Sequence, residues 1–196
     1  MTDSEIVNSK LLQDANIIVN NIYDLVNTKE AYPEAIHVLI GLIEEINDFN
    51  IKQGIVRALT VKEAKGKANY TLLKEYNKYN KSFSPQIESY CWAIGNAFTV
   101  IIQNNDFEDI LEIIQDKQNG ISRQMFIMAL AKLPKRKMEA EDSLIDLLDD
   151  EAVILQTLYT LSRYKAQKAI PKIEMLLKNS NPFIQKVAQK SLAKFK

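Results

Sequence analysis

One apolar spacing recurs along this chain and limits its fold more than any other feature. In AIHVLIGLIEE the anchors are Ile36, Leu39, Leu42 and Ile43, and in AIPKIEMLLKN they are Ile170, Ile173, Leu176 and Leu177. The intervals i, i+3, i+6 and i+7 keep a single stripe of an α-helix apolar. Three further copies fit between these two. Tyr70, Leu73 and Tyr76 make one, and Phe107, Ile110, Ile113 and Ile114 make another; Leu144, Leu147 and Leu148 make the last, with Glu141 at its first anchor. Successive first anchors lie 34, 37, 34 and 29 residues apart, a period that belongs to helical solenoids.

Each of these A helices is followed by a B helix with anchors four apart. They are Ile51, Ile55 and Leu59; Tyr90, Ile94 and Phe98; Met125 or Phe126 with Leu130; Val153, Thr157 and Leu161; and Ile184, Ala188 and Leu192. Ahead of them, residues 4–27 read as one amphipathic helix. A lone helical hairpin cannot bury its stripe, whereas stacked hairpins share a continuous core. The sequence therefore predicts an all-α solenoid over 1–196, a right-handed superhelix of about five hairpins behind an N-terminal capping helix within 1–30. Punctuation agrees. Ser84-Pro85 and Asn181-Pro182 suit helix starts, Asp106 stands before Phe107 with Glu108 and Asp109 in the first turn, and Asn119-Gly120 separates the two helices of the third hairpin.

The closing AIPKIEMLLKNSNPFIQKVAQKSLAKF resembles HEAT repeats, especially the short bacterial kind related to phycobilin-lyase repeats. SYCWAIGNAF followed by the DILEII helix is similar to HEAT-like proteins as well. The likeness runs over residues 33–196. Two departures stand out: Glu141 at an anchor, and few of the Arg and Asp residues that tie neighbouring HEAT repeats together. The resemblance implies that the B helices line a concave face. With Ile51, Ile55 and Leu59 facing the core, the outward row is Gln53 and Arg57, Trp92 and Asn96, Gln124 and Met128, Leu155 and Tyr159, then Lys186 and Lys190. Apolar and aromatic side chains rimmed by polar ones suit a protein-binding groove, so Arg57, Trp92, Asn96, Gln124, Met128, Leu155, Tyr159 and Lys190 are the candidate partner contacts.

Charge alternates in blocks although the net charge is zero. Residues 1–48 hold nine acids and two bases, 49–103 three and eight, 104–151 twelve and six, and 152–196 one and nine. A dedicated nucleic-acid binder usually carries a net basic domain. The basic blocks at 49–81 and 163–196 nevertheless leave a nucleic-acid partner as the alternative. Some HEAT-like proteins are glycosylases for alkylated DNA bases and others assist bilin attachment, and these are the enzyme readings that the resemblance implies.

Nothing else in the residues favours catalysis. His37 is the only histidine and reads as a surface side chain; the lone Cys91 beside Trp92 reads as a buried, inert thiol. No phosphate loop, dinucleotide fingerprint or zinc spacing occurs, so no catalytic residue, metal or cofactor is expected. Glu44-Glu45 and Asp149-Asp150 are neighbours that point in different directions on a helix, unsuited to shared acid–base chemistry. No apolar run reaches membrane-spanning length, and MTDSEIVNSK lacks a leader pattern. The expected molecule is a cytosolic, non-catalytic scaffold for a protein or peptide partner.

Overall fold

The computed structural model describes residues 1–81 and 84–195; Ser82, Phe83 and Lys196, the last of the basic block, lie outside it. The described residues form twelve α-helices and no strand, and they fall into two compact units, Met1–Gln103 and Asn104–Lys196. The chain is an all-α solenoid built from the hairpins that its apolar period predicts.

The first unit opens with α1 (Asp3–Ala15) and α2 (Tyr23–Asn27), followed by the hairpins α3 (Ala35–Glu45) with α4 (Phe49–Ala58) and α5 (Asn69–Tyr79) with α6 (Pro85–Ile101). The predicted single helix over 4–27 is broken. Thr2 and Glu5 close a capping box at the start of α1, and Asn16 ends the helix in the left-handed region at φ 55°, which Asn tolerates well. Ile17, Ile18 and Val19 form a β-branched run that loses side-chain freedom in a helix, and the chain leaves helical geometry there. The turn into α2 buries Ile22 and Leu25. It sits so close to α4 that a Cβ on Gly54 would lie 2.5 Å from Ile22 Cγ2; any larger side chain there would push the two elements apart.

The second unit repeats the hairpin three times: α7 (Phe107–Gln115) with α8 (Arg123–Leu130), α9 (Lys137–Asp146) with α10 (Ile154–Tyr164), and α11 (Ile170–Met175) with α12 (Pro182–Leu192). The same small device starts four of the A-to-B turns. Asp48, Asp116, Asp150 and Asn179 each accept, through Oδ1, the backbone N–H two residues on, at 2.7, 3.0, 3.1 and 2.8 Å. This side-chain turn replaces the orphan bonds of the helix ends. Asn119-Gly120 breaks the third hairpin as expected, with Gly120 at φ 55°.

Most predicted anchors are in the core. Ile36, Leu39, Leu42, Ile43, Phe107, Ile110, Ile114, Leu144, Leu148, Tyr90, Ile94, Phe98, Phe126 and Leu161 are all buried. Ile51, Ile170, Leu176 and Leu192 are half-buried, and two anchors of the hairpins are exposed. Tyr70 is 79 % exposed, because the stripe of α5 runs through Asn69, Leu72, Leu73 and Tyr76 instead. Leu177 is 41 % exposed, because the chain tightens into a 3₁₀ turn at Leu176–Lys178 and rotates it off the stripe. Glu141 stays at its anchor, buried, beside Met138 and Tyr164. In the last hairpin Lys186, Lys190 and Lys194 are exposed, opposite buried Ile184 and Ala188, while Leu192 and Phe195 are only half-buried. Met175 and Phe183 are exposed as well, so the surface of this hairpin is not wholly polar.

Candidate interaction face

In the first unit the candidate residues come from α4 and α6, which pack side by side. Ile55, Val56 and Leu59 carry α4 into the core, which leaves Gln53 half-buried and Arg57 exposed. Gln53 Nε2 donates to Ser89 Oγ at 2.8 Å and to the Ser89 carbonyl at 3.2 Å, joining the two helices. Arg57 borders a shallow cleft with Thr28, Glu30, Tyr32 and Glu63. On α6 the core side is Tyr90, Cys91, Ile94, Ala97 and Phe98, and one turn apart on the other side Trp92 and Asn96 are half-buried.

In the second unit three B helices follow one another, α8 against α10 and α10 against α12. Thr160 Oγ1 donates to the Ile127 carbonyl at 2.9 Å and the Tyr164 hydroxyl donates to the Leu130 carbonyl, so α10 is pinned to α8 through its buried side. Gln124 and Met128 on α8, and Leu155 on α10, are half-buried; Tyr159 is 39 % exposed, and Lys186 and Lys190 on α12 are exposed. Gln124 Nε2 donates to the Ala152 carbonyl at 2.8 Å. Lys194 Nζ stands 5.9 Å from the centre of the Tyr159 ring, within the range of a cation–π contact.

Two buried ion ties have no counterpart in the sequence reading. Lys52, assigned there to a basic block, is 2 % exposed; its Nζ meets Glu75 Oε2 at 2.8 Å, and the Tyr90 hydroxyl donates to the same oxygen at 3.0 Å. The rings of Phe49, Tyr79 and Tyr90 surround this pair edge to face, with centroids 5.2 to 6.1 Å apart. Burial, then the Glu75 charge, pushes the Tyr90 hydroxyl far above its ordinary range. The second tie is Arg123, 1 % exposed, which donates to Asp150 Oδ2 at 2.8 Å and to the carbonyls of Gly120 and Ile114 at 2.9 and 3.3 Å. It links one hairpin to the next, the kind of Arg–Asp tie in which the sequence looked poor. Both were legible only as polar residues beside a stripe: Lys52 next to Ile51, and Arg123 seven residues after the turn at Asp116.

The adjacent acids Glu44-Glu45 and Asp149-Asp150 each have separate structural partners. Glu44 pairs with Lys74 at 2.6 Å and Glu45 with Lys10 at 4.0 Å; Asp149 pairs with Lys172 at 2.7 Å and Asp150 with Arg123. His37 is exposed on α3. Cys91 is a buried free thiol whose pKa is pushed up to about 12 by burial and then by Glu75 and Glu88. Among the described residues no group of three or more His, Cys, Asp or Glu side chains could hold a metal ion, and no helix is long and apolar enough to cross a membrane.

Residues 107–193, from the start of α7 through the end of α12, match the family model of HEAT repeats. No curated protein matches the chain.

Proposed function

We propose that this HEAT-repeat protein is a non-catalytic scaffold that binds a protein or peptide along the outward row of its B helices. HEAT repeats commonly mediate protein interactions. The observation that carries the reading is in the second unit: Met128, Leu155 and Tyr159 keep apolar surface open on successive B helices, while Phe126, Ile127, Leu158 and Leu161 fill the core beneath them. The core does not need the outward residues, and apolar surface rimmed by polar side chains is characteristic of contact surfaces. In the first unit the candidate contacts are Arg57, Trp92 and Asn96. Its site of action is the cytosol, where a free thiol such as Cys91 persists.

Aromatic side chains desolvated at an interface commonly contribute about 2 kcal/mol or more each. Trp92→Ala combined with Tyr159→Ala should therefore abolish capture of the partner from native cell extract, with only a small shift in melting temperature. Undiminished capture by the folded double variant would refute the groove. Unfolding of the variant would assign both side chains to the core.

A further inference from the structure

The second unit is electrically two-faced. Its A helices α7, α9 and α11 carry eight acids and two bases, whereas its B helices α8, α10 and α12 carry no acid and four bases. Three of the A-layer acids are paired in place, since Arg136 holds Glu108 and Glu139 and Lys168 meets Asp142, and Lys172 meets Asp149 in the turn after α9. On the B layer only Arg123 is buried against an acid. Arg163, Lys186 and Lys190 are exposed and form no ion pair among the described residues, and Lys194 stands over Tyr159. The B helices that carry Met128, Leu155 and Tyr159 thus also carry three cations, Arg163, Lys186 and Lys190, without an ion pair among the described residues.

We infer that the occupant of this face is an acidic peptide segment of a partner protein with an apolar side chain among its carboxylates. The inference rests on the groove proposed above and names the chemistry of its ligand. An apolar side chain covers Met128, Leu155 and Tyr159, and flanking Asp or Glu residues meet Arg163, Lys186 and Lys190. Three neighbouring helices ~8–10 Å apart give a row of ~20 Å, the length of about six residues of extended chain. These cations steer acidic chains to the face. A nucleic acid would meet the same cations, but base stacking along a strand uses successive rings; the strip has one ring, Tyr159, and the other exposed ring of these B helices, Phe183, stands at the far start of α12.

The test is selection of short random peptides displayed on phage against the intact chain, followed by anisotropy of the selected peptides and of an oligo-dT strand. Peptides with Asp or Glu around an apolar residue should be enriched. Lys186→Glu with Lys190→Glu, both exposed positions, should weaken them by about tenfold or more, as should Tyr159→Ala, with melting curves confirming that each variant folds. Enrichment of neutral peptides that depend on Tyr159 and ignore the lysines would overturn the acidic class and leave the groove standing. No enrichment at all would overturn both. Binding of oligo-dT more tightly than any selected peptide would overturn the peptide as occupant.

Discussion

Asp150 accepts from a guanidinium that has almost no access to water. Burial by itself favours the protonated carboxyl, but the hydrogen bond and charge of Arg123, with the Ala152 N–H, reverse that and hold its pKa below the ordinary 3.8. A depressed folded-state pKa gives stability that is complete above the unfolded value and is lost as pH falls through the folded one. The melting temperature of the native chain should therefore drop below about pH 4. Asp150→Asn should start lower at neutral pH and show a shallower drop. Asp150→Ala leaves Arg123 buried with only the Gly120 and Ile114 carbonyls, and breaking a buried pair in this way costs about 3–5 kcal/mol. Urea unfolding that places the cost under about 1 kcal/mol would put the pair in the class of exposed surface bridges. Cys91 makes a second prediction at this scale. A thiol buried at 2 % exposure with a pKa near 12 holds almost no thiolate at neutral pH, so a disulfide reagent should label it slowly in the native chain and fully in denaturant. Fast native labelling would mean that α6 opens.

At the scale of the helix, apolar spacing was legible wherever the stripe is uninterrupted. In α3 and α7 every predicted anchor is buried, since four apolar side chains leave no competing phase. In α5 the core accepts Asn69 and Glu75, which satisfy the Ile101 carbonyl and Lys52, so an apolar count chose Tyr70 on the wrong side. A buried Lys or Arg beside a stripe reads as surface until its acid partner is placed, which is why Lys52–Glu75 and Arg123–Asp150 escaped notice. On the B helices the four-residue spacing is regular, and none of the ten residues of the outward row is buried. The corrected phase is directly measurable. Tyr76→Ala and Leu11→Ala, at fully buried sites, should each cost about 2–5 kcal/mol. Tyr70→Ala and Leu177→Ala should stay within about 0.5 kcal/mol of the parent. Equal losses at Tyr70 and Tyr76 would restore the uncorrected stripe.

For the whole chain, the relevant fact is that each unit encloses its own core. Leu39, Leu42, Ile55, Ile94 and Phe98 fill the first, and Ile110, Phe126, Ile127, Leu144 and Leu161 the second. In a repeat array stability is close to a sum of repeat and nearest-neighbour terms, so damage stays near its origin. Ile127→Ala removes a fully buried side chain from α8 next to the Thr160 tether. At a cost of about 2–5 kcal/mol, it should lower the opening free energy of the second unit directly. Native-state hydrogen exchange reads this helix by helix, because it follows each cooperative segment separately. Amides of α7 to α12 should exchange faster in the variant, with α8 and α10 most affected, while α3 to α6 keep their protection. Protection lost equally across α3 to α12 would instead mean that the hairpins melt as one cooperative body, and that a binding event on α8, α10 and α12 would be felt energetically as far as Trp92.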